Sequence, residues 1–235
     1  MILLGYHEMP GCEIIVSPDG KKALAICSPS TIQVIDIATK RVVMRTQLAS
    51  SIIDCSFYDN SMCYFLTSKY YIEWIIVIED NHIAEYDVSK NLVKGIYYDA
   101  DLFGVNSIEI NGNIMAIGYL IEWLNYYHSE TSGILSIYET PTEMNTEPCE
   151  ENYRIIKPIK AIKNLVTSIS SIAINNDNSL VVYASYMKHE SIKVVHLNTM
   201  NVFLNWPIKN ERLGYIRSVS ISGDNSMIEY EWIDS

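Results

Sequence analysis

Residues 164–222 contain four short apolar runs, each closed by a cluster of Asn, Asp, Ser or Gly. The clearest pair is 169–174 and 180–184, which the polar cluster 175–179 joins. Runs of four to six residues rich in Val, Ile and Tyr are typical of short antiparallel strands. Four such strands in about 40 residues have the size of one blade of a β-propeller. The pattern therefore predicts an all-β protein built from four-stranded units.

The same hairpin pattern recurs along the chain, with turn clusters centred near positions 19, 59, 112, 177 and 224. The first spacing is about 40 residues, as blade repeats require, and insertions at 70–80 and 119–131 lengthen the later ones. We predict one domain, residues 1–235, that forms a WD40-type β-propeller with about four complete blades and a partial fifth. Residues 141–153 are acidic and nearly free of apolar side chains, which predicts a surface loop.

Two predicted third strands end in the place where WD repeats carry Trp-Asp. Residues 35–36 are Ile-Asp and residues 86–87 are Tyr-Asp. The third and fourth copies have Ile-Tyr at 137–138 and Val-His at 195–196. We interpret the pattern as a degenerate WD repeat.

Composition and charge narrow the classes of function. Hydrophobic residues make up 49% of the chain and charged residues 19%, which suits a packed core and excludes wholesale disorder. The net charge of −11 opposes general attraction to nucleic acid phosphates, which needs clustered Lys and Arg. Any contact with RNA is therefore expected to be local or made through partner proteins.

The number and spacing of the cysteines and the length of the apolar runs predict the cellular compartment. The five cysteines form no CxxC pair or metal-ligand pattern, and they are Cys12, Cys27, Cys55, Cys63 and Cys149. An odd number predicts reduced thiols in the cytosol or nucleus. No run approaches the roughly 18 apolar residues of a membrane span. We expect a soluble intracellular protein with no metal, cofactor or membrane association.

Longer motifs in the second half carry a resemblance to a known family. They are KPIKAIKNLVTSISSIAIN at 157–175, VVHLNTMNVFLNWP at 194–207 and LGYIRSVSIS at 213–222. In this order and spacing they resemble the last two blades of the U3 small nucleolar RNA-associated protein 18 family. Upstream, VSPDG and SGILSIYE fit the same family, so the resemblance extends over about 11–222.

The resemblance implies a seven-bladed WD-repeat propeller in the UTP-B complex of the small-subunit processome. It implies a non-enzymatic scaffold in the nucleolus, within the nucleus, that supports U3 snoRNP assembly and 18S pre-rRNA processing in ribosome biogenesis. The partners it implies are other UTP-B subunits and processome proteins. They also include U3 snoRNA and pre-rRNA, mainly through the particle. No small-molecule substrate is expected.

Three departures from the family qualify this expectation. The chain starts part-way round the family's propeller, so the family's recruitment of the exosome's helicase cannot be carried over. The insertions at 70–80 and 119–131 stand where the family has tight turns, and 227–235 replaces its closing strands. A truncated chain, a reduced descendant and a partial ring completed by a partner all fit.

The segment Asn205-Trp206-Pro207, with Leu213 and Gly214 after it, is the candidate partner-binding site. Trp is a favoured hot-spot residue at interfaces. In the alternative interpretation, Trp206 fills the gap between two blades and Pro207 ends a strand.

A second candidate site is a cluster of cations within ten residues of an acidic chain, namely Arg154, Lys157, Lys160 and Lys163. They could contact an RNA phosphate path. The more ordinary interpretation is a solvated strand and loop face.

Enzyme signatures are missing from the sequence, which contains no GxGxxG, GxxxxGK[ST], GxSxG or HExxH motif. We therefore predict no enzyme and no catalytic residue. The alternative to the ribosome-assembly scaffold is a generic WD-repeat adaptor that binds protein partners elsewhere, which the fold alone would support.

Overall fold

The computed structural model describes residues 13–27, 30–73, 76–99, 105–122, 131–141, 147–148, 153–207 and 213–233. Every helix or strand assigned in these residues is a β-strand, so the all-β prediction is confirmed. The chain divides into two compact units, Met1–Tyr97 and Tyr98–Ser235. A single domain over 1–235 stays a prediction.

The first unit contains eight strands, which correspond to the first two predicted copies. They are β1 (Glu13–Val16), β2 (Lys22–Cys27), β3 (Thr31–Asp36), β4 (Arg41–Gln47), β5 (Ser51–Phe57), β6 (Met62–Glu73), β7 (Ile76–Asp87) and β8 (Leu92–Tyr98). Strands β1 to β4 form one sheet in chain order, and β5 to β8 lie side by side in chain order. All neighbours are antiparallel.

The second unit continues the pattern. Its strands are β9 (Val105–Asn111), β10 (Ile114–Glu122), β11 (Thr131–Glu139), β12 (Glu147–Pro148), β13 (Tyr153–Ile155), β14 (Lys160–Leu165), β15 (Ser171–Ile174), β16 (Leu180–Ala184), β17 (Ile192–His196), β18 (Asn201–Val202), β19 (Tyr215–Ile221) and β20 (Ile228–Ile233). One sheet has the order β14-β11-β10-β9, a second has β15-β16-β17-β18, and β19 pairs with β20 alone. Three four-stranded sheets, the larger sheet that contains β5 to β8 and the two-stranded β19–β20 pair confirm the predicted fold class.

The two insertions extend hairpins that already exist. Strands β6 and β7 pair without interruption as far as Glu73 opposite Ile76, so the described part of 70–80 prolongs this hairpin. Strands β10 and β11 pair as far as Glu122 opposite Thr131. From the sequence we also expect Trp74 and Trp123, each in an Ile-Glu-Trp triplet, to cover apolar surface, and both lie outside the described residues.

The predicted surface loop at 141–153 is only partly described. Pro141 is buried, and the short strand β12 pairs with β13, Glu147 opposite Ile155. Residues 142–146 and 149–152 lie outside the described residues. The loop assignment stays a prediction.

The sheet β15–β18 is apolar on both faces because alternate residues enter two different clusters. Val181 and Tyr183 pack with residues of β10, β11 and β14 on one side. Val182 and Ala184 pack with residues of β19 on the other side. Continuous apolar runs, instead of strict alternation, are what a sheet covered on both faces requires.

The ends of the third strands share one turn geometry. Asp36 accepts hydrogen bonds from the hydroxyl and the backbone N–H of Thr39, both at 2.7 Å. Asp87 accepts in the same way from the hydroxyl of Ser89 at 2.6 Å and from the N–H of Lys90 at 3.0 Å. These donors lower the pKa of both carboxyl groups, the hydroxyl contributing most in each case.

The fourth copy keeps this geometry with a different residue, since His196 Nδ1 lies 3.1 Å from the hydroxyl of Thr199. In the first, second and fourth copies, the residue four positions after the third-strand end has a left-handed backbone, and these residues are Lys40, Asn91 and Met200. The turn after the third strand is therefore kept in the fourth copy, where His196 replaces the Asp.

The predicted register of the third copy was wrong by one residue. Each second strand begins opposite the residue that ends the third strand, as Lys22 lies opposite Asp36. In the third copy Ile114 lies opposite Glu139. Glu139, and not Tyr138, therefore occupies the Asp position. An acidic residue is present there after all.

Candidate partner-binding surface

The predicted anchor Asn205-Trp206-Pro207 follows β18. Asn205 is exposed, Trp206 and Pro207 are half-buried, and the peptide bond between the last two is cis. The Trp206 side chain packs against the apolar cluster formed by β15, β16, β17 and β19. It therefore fills a gap between two sheets, as the alternative interpretation expects, while part of its surface stays accessible.

Leu213 and Gly214 are both buried just before β19. Leu213 belongs to the same apolar cluster as Trp206. The backbone N–H of Glu190 donates to the carbonyl oxygens of Leu213 at 3.1 Å and Gly214 at 3.3 Å. The structure thus brings Trp206 and Leu213 to one cluster, and it joins Leu213 and Gly214 to the β16–β17 loop through Glu190.

Gly214 allows a close approach between two backbone segments. A Cβ at this position would lie 2.5 Å from the carbonyl oxygen of Ile233 and 2.6 Å from Cε3 of Trp232. Carbon atoms in favourable contact are about 3.5–4.0 Å apart, so no larger residue fits without a shift. Gly214 and Leu213 hold the β19–β20 pair in place, and direct contact of either with a partner stays a prediction.

Two exposed apolar side chains lie beside the anchor and were not singled out from the sequence. The apolar run 202–204 predicts the start of a strand, but β18 ends at Val202 and Leu204 lies in a turn with 90% of its surface exposed. The N–H of Phe203 still donates to the carbonyl of Val194 at 2.9 Å, although its ring is 45% exposed. Pro207, three residues on from Leu204, was the available signal for an early strand end.

The β16–β17 loop presents further apolar surface in the same unit. Tyr186 and Met187 are each more than half exposed. The His189 ring lies 3.8 Å from the Tyr215 ring, at an interplanar angle of 53°. Exposed aromatic and Met side chains are enriched at protein interfaces, so this loop and the residues after β18 supply the interface chemistry that the sequence located only at Trp206.

The four predicted cations do not converge on one face. Arg154 lies in β13, Lys157 lies between two strands, and Lys160 and Lys163 lie on β14, the outermost strand of its sheet. Lys160 and Lys163 are both exposed. Because side chains alternate along a strand, these two point to opposite faces and are about 10 Å apart along β14.

The two lysines of β14 are explained by the position of this strand at the edge of its sheet, where they hinder pairing with strands of other molecules. Neither forms an ion pair with a residue that the structure describes. The pairing of β14 with β11 is irregular beside Gly133. Lysines and bulges on an outer strand discourage pairing with other chains. This reason does not depend on RNA, and a contact of the four cations with RNA stays a prediction.

Polar turns link neighbouring sheets, which sequence analysis did not foresee. In the second unit Asn111 Nδ2 donates to the carbonyl of Asn175 at 2.8 Å, and the N–H of Asn176 donates to Asn225 Oδ1 at 3.1 Å. In the first unit the N–H of Asp19 donates to Asn60 Oδ1 at 2.9 Å. The Asn residues in the turn clusters near 59, 112, 177 and 224 were the signal.

Carboxylates organise several of these turns. Hydrogen bonds from the hydroxyls of Ser222 and Ser226 lower the pKa of Asp224 to about 2. The hydroxyl of Ser179 lowers the pKa of Asp177 in the same way. Charge-assisted hydrogen bonds of this kind favour the ionised form, so the acidic turns are structural.

Three or more metal-ligating side chains do not come together anywhere in the described part of the chain. The described residues also include no helix long and apolar enough to cross a membrane.

Comparison with curated proteins bears on the predicted resemblance. The chain is 25% identical over 210 residues to "U3 small nucleolar RNA-associated protein 18 homolog" of Homo sapiens, an alignment that covers 88% of this chain and 33% of that protein. The homologue of Mus musculus is 26% identical over 221 residues, covering 93% of this chain and 35% of the relative. The protein of the same family name from Saccharomyces cerevisiae is 24% identical over 155 residues, or 62% of this chain and 25% of the relative.

The resemblance predicted from the sequence is confirmed, because curated relatives from mammals to yeast carry this name. The chain spans about a third of the length of the mammalian relatives it matches. No protein-family model matches the chain.

Proposed function

We propose that the chain is a member of the U3 small nucleolar RNA-associated protein 18 family and acts as a non-enzymatic scaffold in ribosome biogenesis. The observation that carries the proposal is similarity along most of the chain to curated proteins of this name. Sheets of four antiparallel strands with WD-type third-strand ends support it. Propellers of this kind commonly serve as platforms for other molecules.

The finer proposal places the chain in the UTP-B complex of the small-subunit processome, within the nucleolus. There it would support U3 snoRNP assembly and 18S pre-rRNA processing, with other UTP-B subunits as its direct partners. The chain carries a net charge of −11, which favours protein contacts over broad phosphate contacts. U3 snoRNA and pre-rRNA are therefore reached mainly through the particle.

A pull-down of the tagged full chain from its own cells tests this function. Bound RNA is sequenced and bound proteins are identified by mass spectrometry, with an unrelated tagged WD-repeat protein as the control. We expect enrichment of U3 snoRNA, the 5′ part of pre-rRNA and UTP-B subunits. Recovery of none of these with a chain that is expressed and folded would overturn the proposal.

The cation cluster Arg154, Lys157, Lys160 and Lys163 is proposed as a local RNA contact within that particle. Charge reversal by Lys160→Glu and Lys163→Glu changes two exposed side chains without touching the core. We expect it to lower ultraviolet crosslinking of the chain to RNA while leaving the protein partners in place.

The matched control for the cations is Lys188→Glu with Arg217→Glu, which changes the net charge equally at two other exposed positions. If both pairs lower crosslinking to the same extent, general charge explains the effect and the local contact is refuted.

A WD-repeat adaptor outside ribosome assembly is the second candidate. The observation that favours it is the exposed apolar surface at Phe203, Leu204, Tyr186 and Met187, which suits a protein partner of any pathway. Protein partners that depend on Leu204, recovered without U3 snoRNA or UTP-B subunits, would favour this candidate.

A further inference from the structure

The turn between β9 and β10 requires a glycine at a defined position. Ile114 pairs with Asn111, so Gly112 and Asn113 form a two-residue turn. Gly112 has a φ of 52°, in the left-handed region that glycine adopts without a steric penalty. Two-residue hairpin turns commonly need such a φ at their first position. The backbone therefore dictates a glycine directly after Asn111.

Asn111 has a separate role as a link between two sheets. Its Nδ2 donates to the carbonyl oxygen of Asn175 at 2.8 Å, which joins the β9–β10 turn to the β15–β16 turn. An aspartate could not make this bond, because an ionised carboxylate only accepts hydrogen bonds. The link therefore dictates an amide at this position. The two requirements together create the one Asn-Gly pair in the sequence.

An Asn-Gly pair can undergo deamidation. The backbone nitrogen of the glycine gives its proton to solvent and attacks Cγ of the asparagine side chain. A new C–N bond forms, the bond from Cγ to the side-chain nitrogen breaks, and that nitrogen takes up a proton and leaves as ammonia. Water then opens the resulting succinimide ring at either carbonyl group, which yields aspartate or isoaspartate. Glycine favours the reaction because it has no Cβ to hinder the approach.

The folded turn commits the reacting groups to other partners. Asn111 ends strand β9, and its hydrogen bond fixes the side-chain amide on Asn175. The carbonyl oxygen of Gly112 accepts from the Thr140 hydroxyl at 2.9 Å, and the carbonyl oxygen of Asn113 accepts from the Thr140 N–H at 2.9 Å. Ring closure requires the two reacting atoms in a near-attack geometry, so these bonds must be released first.

We propose that Asn111 is a site of spontaneous deamidation, which the folded chain suppresses and which local opening of the 111–113 turn permits. Gly112 and Asn113 are exposed and Asn111 is half-buried, so the turn opens without disturbing the core. Surface turns open at a lower free energy than core strands do. The rate of deamidation at Asn111 is therefore set by the hydrogen bonds of the turn and not by the stability of the whole chain.

Deamidation removes the link between the two sheets. Aspartate places a carboxylate oxygen where the amide donated to the carbonyl of Asn175, so two acceptors face each other in place of a hydrogen bond. Isoaspartate in addition lengthens the main chain by one carbon at the end of β9 and disrupts the pairing with Ile114. Because ammonia is lost, neither product returns to asparagine, and the change accumulates with every opening that leads to reaction.

The test follows deamidation at Asn111 in the purified full chain during incubation in mildly alkaline buffer. Proteolytic peptides are analysed by mass spectrometry, and isoaspartate is quantified by enzymatic methylation. We expect the folded chain to react about tenfold or more slowly than the same chain unfolded in urea, and Asn111 to be the fastest asparagine of the unfolded chain. Equal rates in the two states would overturn suppression by the fold. A faster asparagine elsewhere in the unfolded chain would overturn the assignment of the site.

Two variants separate local opening of the turn from unfolding of the whole chain. Thr140→Val keeps the side-chain shape and removes the hydroxyl donor to Gly112. We expect the folded variant to deamidate about fivefold faster, the factor that one ordinary hydrogen bond provides. Ile192→Val removes one methylene group from a buried cluster, at a comparable loss of stability, and as the control should leave the rate unchanged. Equal acceleration by both variants, or none by Thr140→Val, refutes local opening.

A further pair of variants tests the consequence of the reaction. Asn111→Asp reproduces the aspartate product. Asn113→Asp adds the same charge two residues later, where the side-chain oxygen accepts from Asn178 Nδ2 at 3.3 Å and a carboxylate still accepts. We expect Asn111→Asp to lower the urea midpoint of unfolding more than Asn113→Asp does, and equal midpoints would contradict the loss of a link. The purified chain contains no RNA or processome protein, so these results do not depend on the function proposed above.

Discussion

Replacement of Gly214 by alanine tests the packing that holds the β19–β20 pair in place. The new methyl group would lie 2.5 Å from the carbonyl oxygen of Ile233 and 2.6 Å from Cε3 of Trp232. Backbone cannot rotate away as a flexible side chain can, so β20 must shift. Overpacking of this kind costs roughly 1–3 kcal/mol. The less flexible unfolded chain offsets about 0.4–1 kcal/mol of this cost, which leaves a net loss of up to roughly 2.6 kcal/mol, with a central value of about 1.3 kcal/mol.

Urea unfolding followed by tryptophan fluorescence measures this loss, because Trp206 and Trp232 lie at the affected cluster and strand. The control is Gly223→Ala, where a Cβ would meet nothing closer than an Asn176 side-chain atom at 3.9 Å. We expect the control to change stability by no more than about 1 kcal/mol, in the stabilising direction. If Gly214→Ala proves as stable as Gly223→Ala, the argument from close packing is refuted.

Three further changes have definite expected outcomes. Tyr138→Phe removes the donor to the buried carboxylate of Asp99, a 2.9 Å bond, and should destabilise the chain by about 2 kcal/mol in thermal unfolding; no measurable loss would contradict a buried charge-assisted bond. The folded pKa of Asp224 is about 2, below the unfolded value of about 3.9. Its stabilising contribution is therefore complete above about pH 4 and disappears as the pH falls towards 2. Acid titration followed by fluorescence should show a smaller loss for Asp224→Asn, and identical titrations would exclude this source of acid sensitivity. Leu204→Ser should weaken recovery of protein partners without altering stability, whereas Trp206→Ala should lower the melting temperature; the reverse pattern would make Trp206 the anchor and Leu204 part of the fold.

The strands and turns were predictable because local chemistry dictates them. The cluster 175–179 contains residues that form turns through their own side chains, and Asn175 Oδ1 accepts the N–H groups of Ser179 and Leu180 at 2.9 and 2.8 Å. On either side, β-branched residues leave few alternatives to a strand. Strands β15 and β16 accordingly match the predicted runs closely.

The role of Trp206 was not predictable from residue type alone. A tryptophan next to a polar residue can act as an interface anchor or can fill the space between two sheets. Both roles use its large apolar ring, and its one N–H donor can be satisfied in either setting. Only the positions of Leu213 and β19, distant in sequence from β15 and β16, place it against a core cluster. The exposure of Leu204 was not predicted because residues 202–204 form an apolar run. An apolar run predicts a strand, and Pro207 was the local signal that the strand ends at Val202, two residues before Leu204.

The one-residue error in the third copy has a different cause. The prediction aligned Ile137 with Tyr86 and Tyr138 with Asp87, whereas aligning the two tyrosines would have placed Glu139 at the Asp position. Strand register is set by pairing with the neighbouring strand, and one residue of slip moves a side chain to the opposite face. Pairing of Ile114 with Glu139 corrects the alignment.

The sheet β15–β18 and the β19–β20 pair differ in the chemistry of their faces. Sheet β15–β18 makes apolar contacts on both faces, through Val181 and Tyr183 on one face and Val182 and Ala184 on the other. The β19–β20 pair makes such contacts on one face only, and the carboxylates of Glu229 and Glu231 are exposed on the other face. Because burying a carboxylate without a partner costs several kcal/mol, the acidic face of the β19–β20 pair is less suited to apolar packing than either face of the sheet β15–β18.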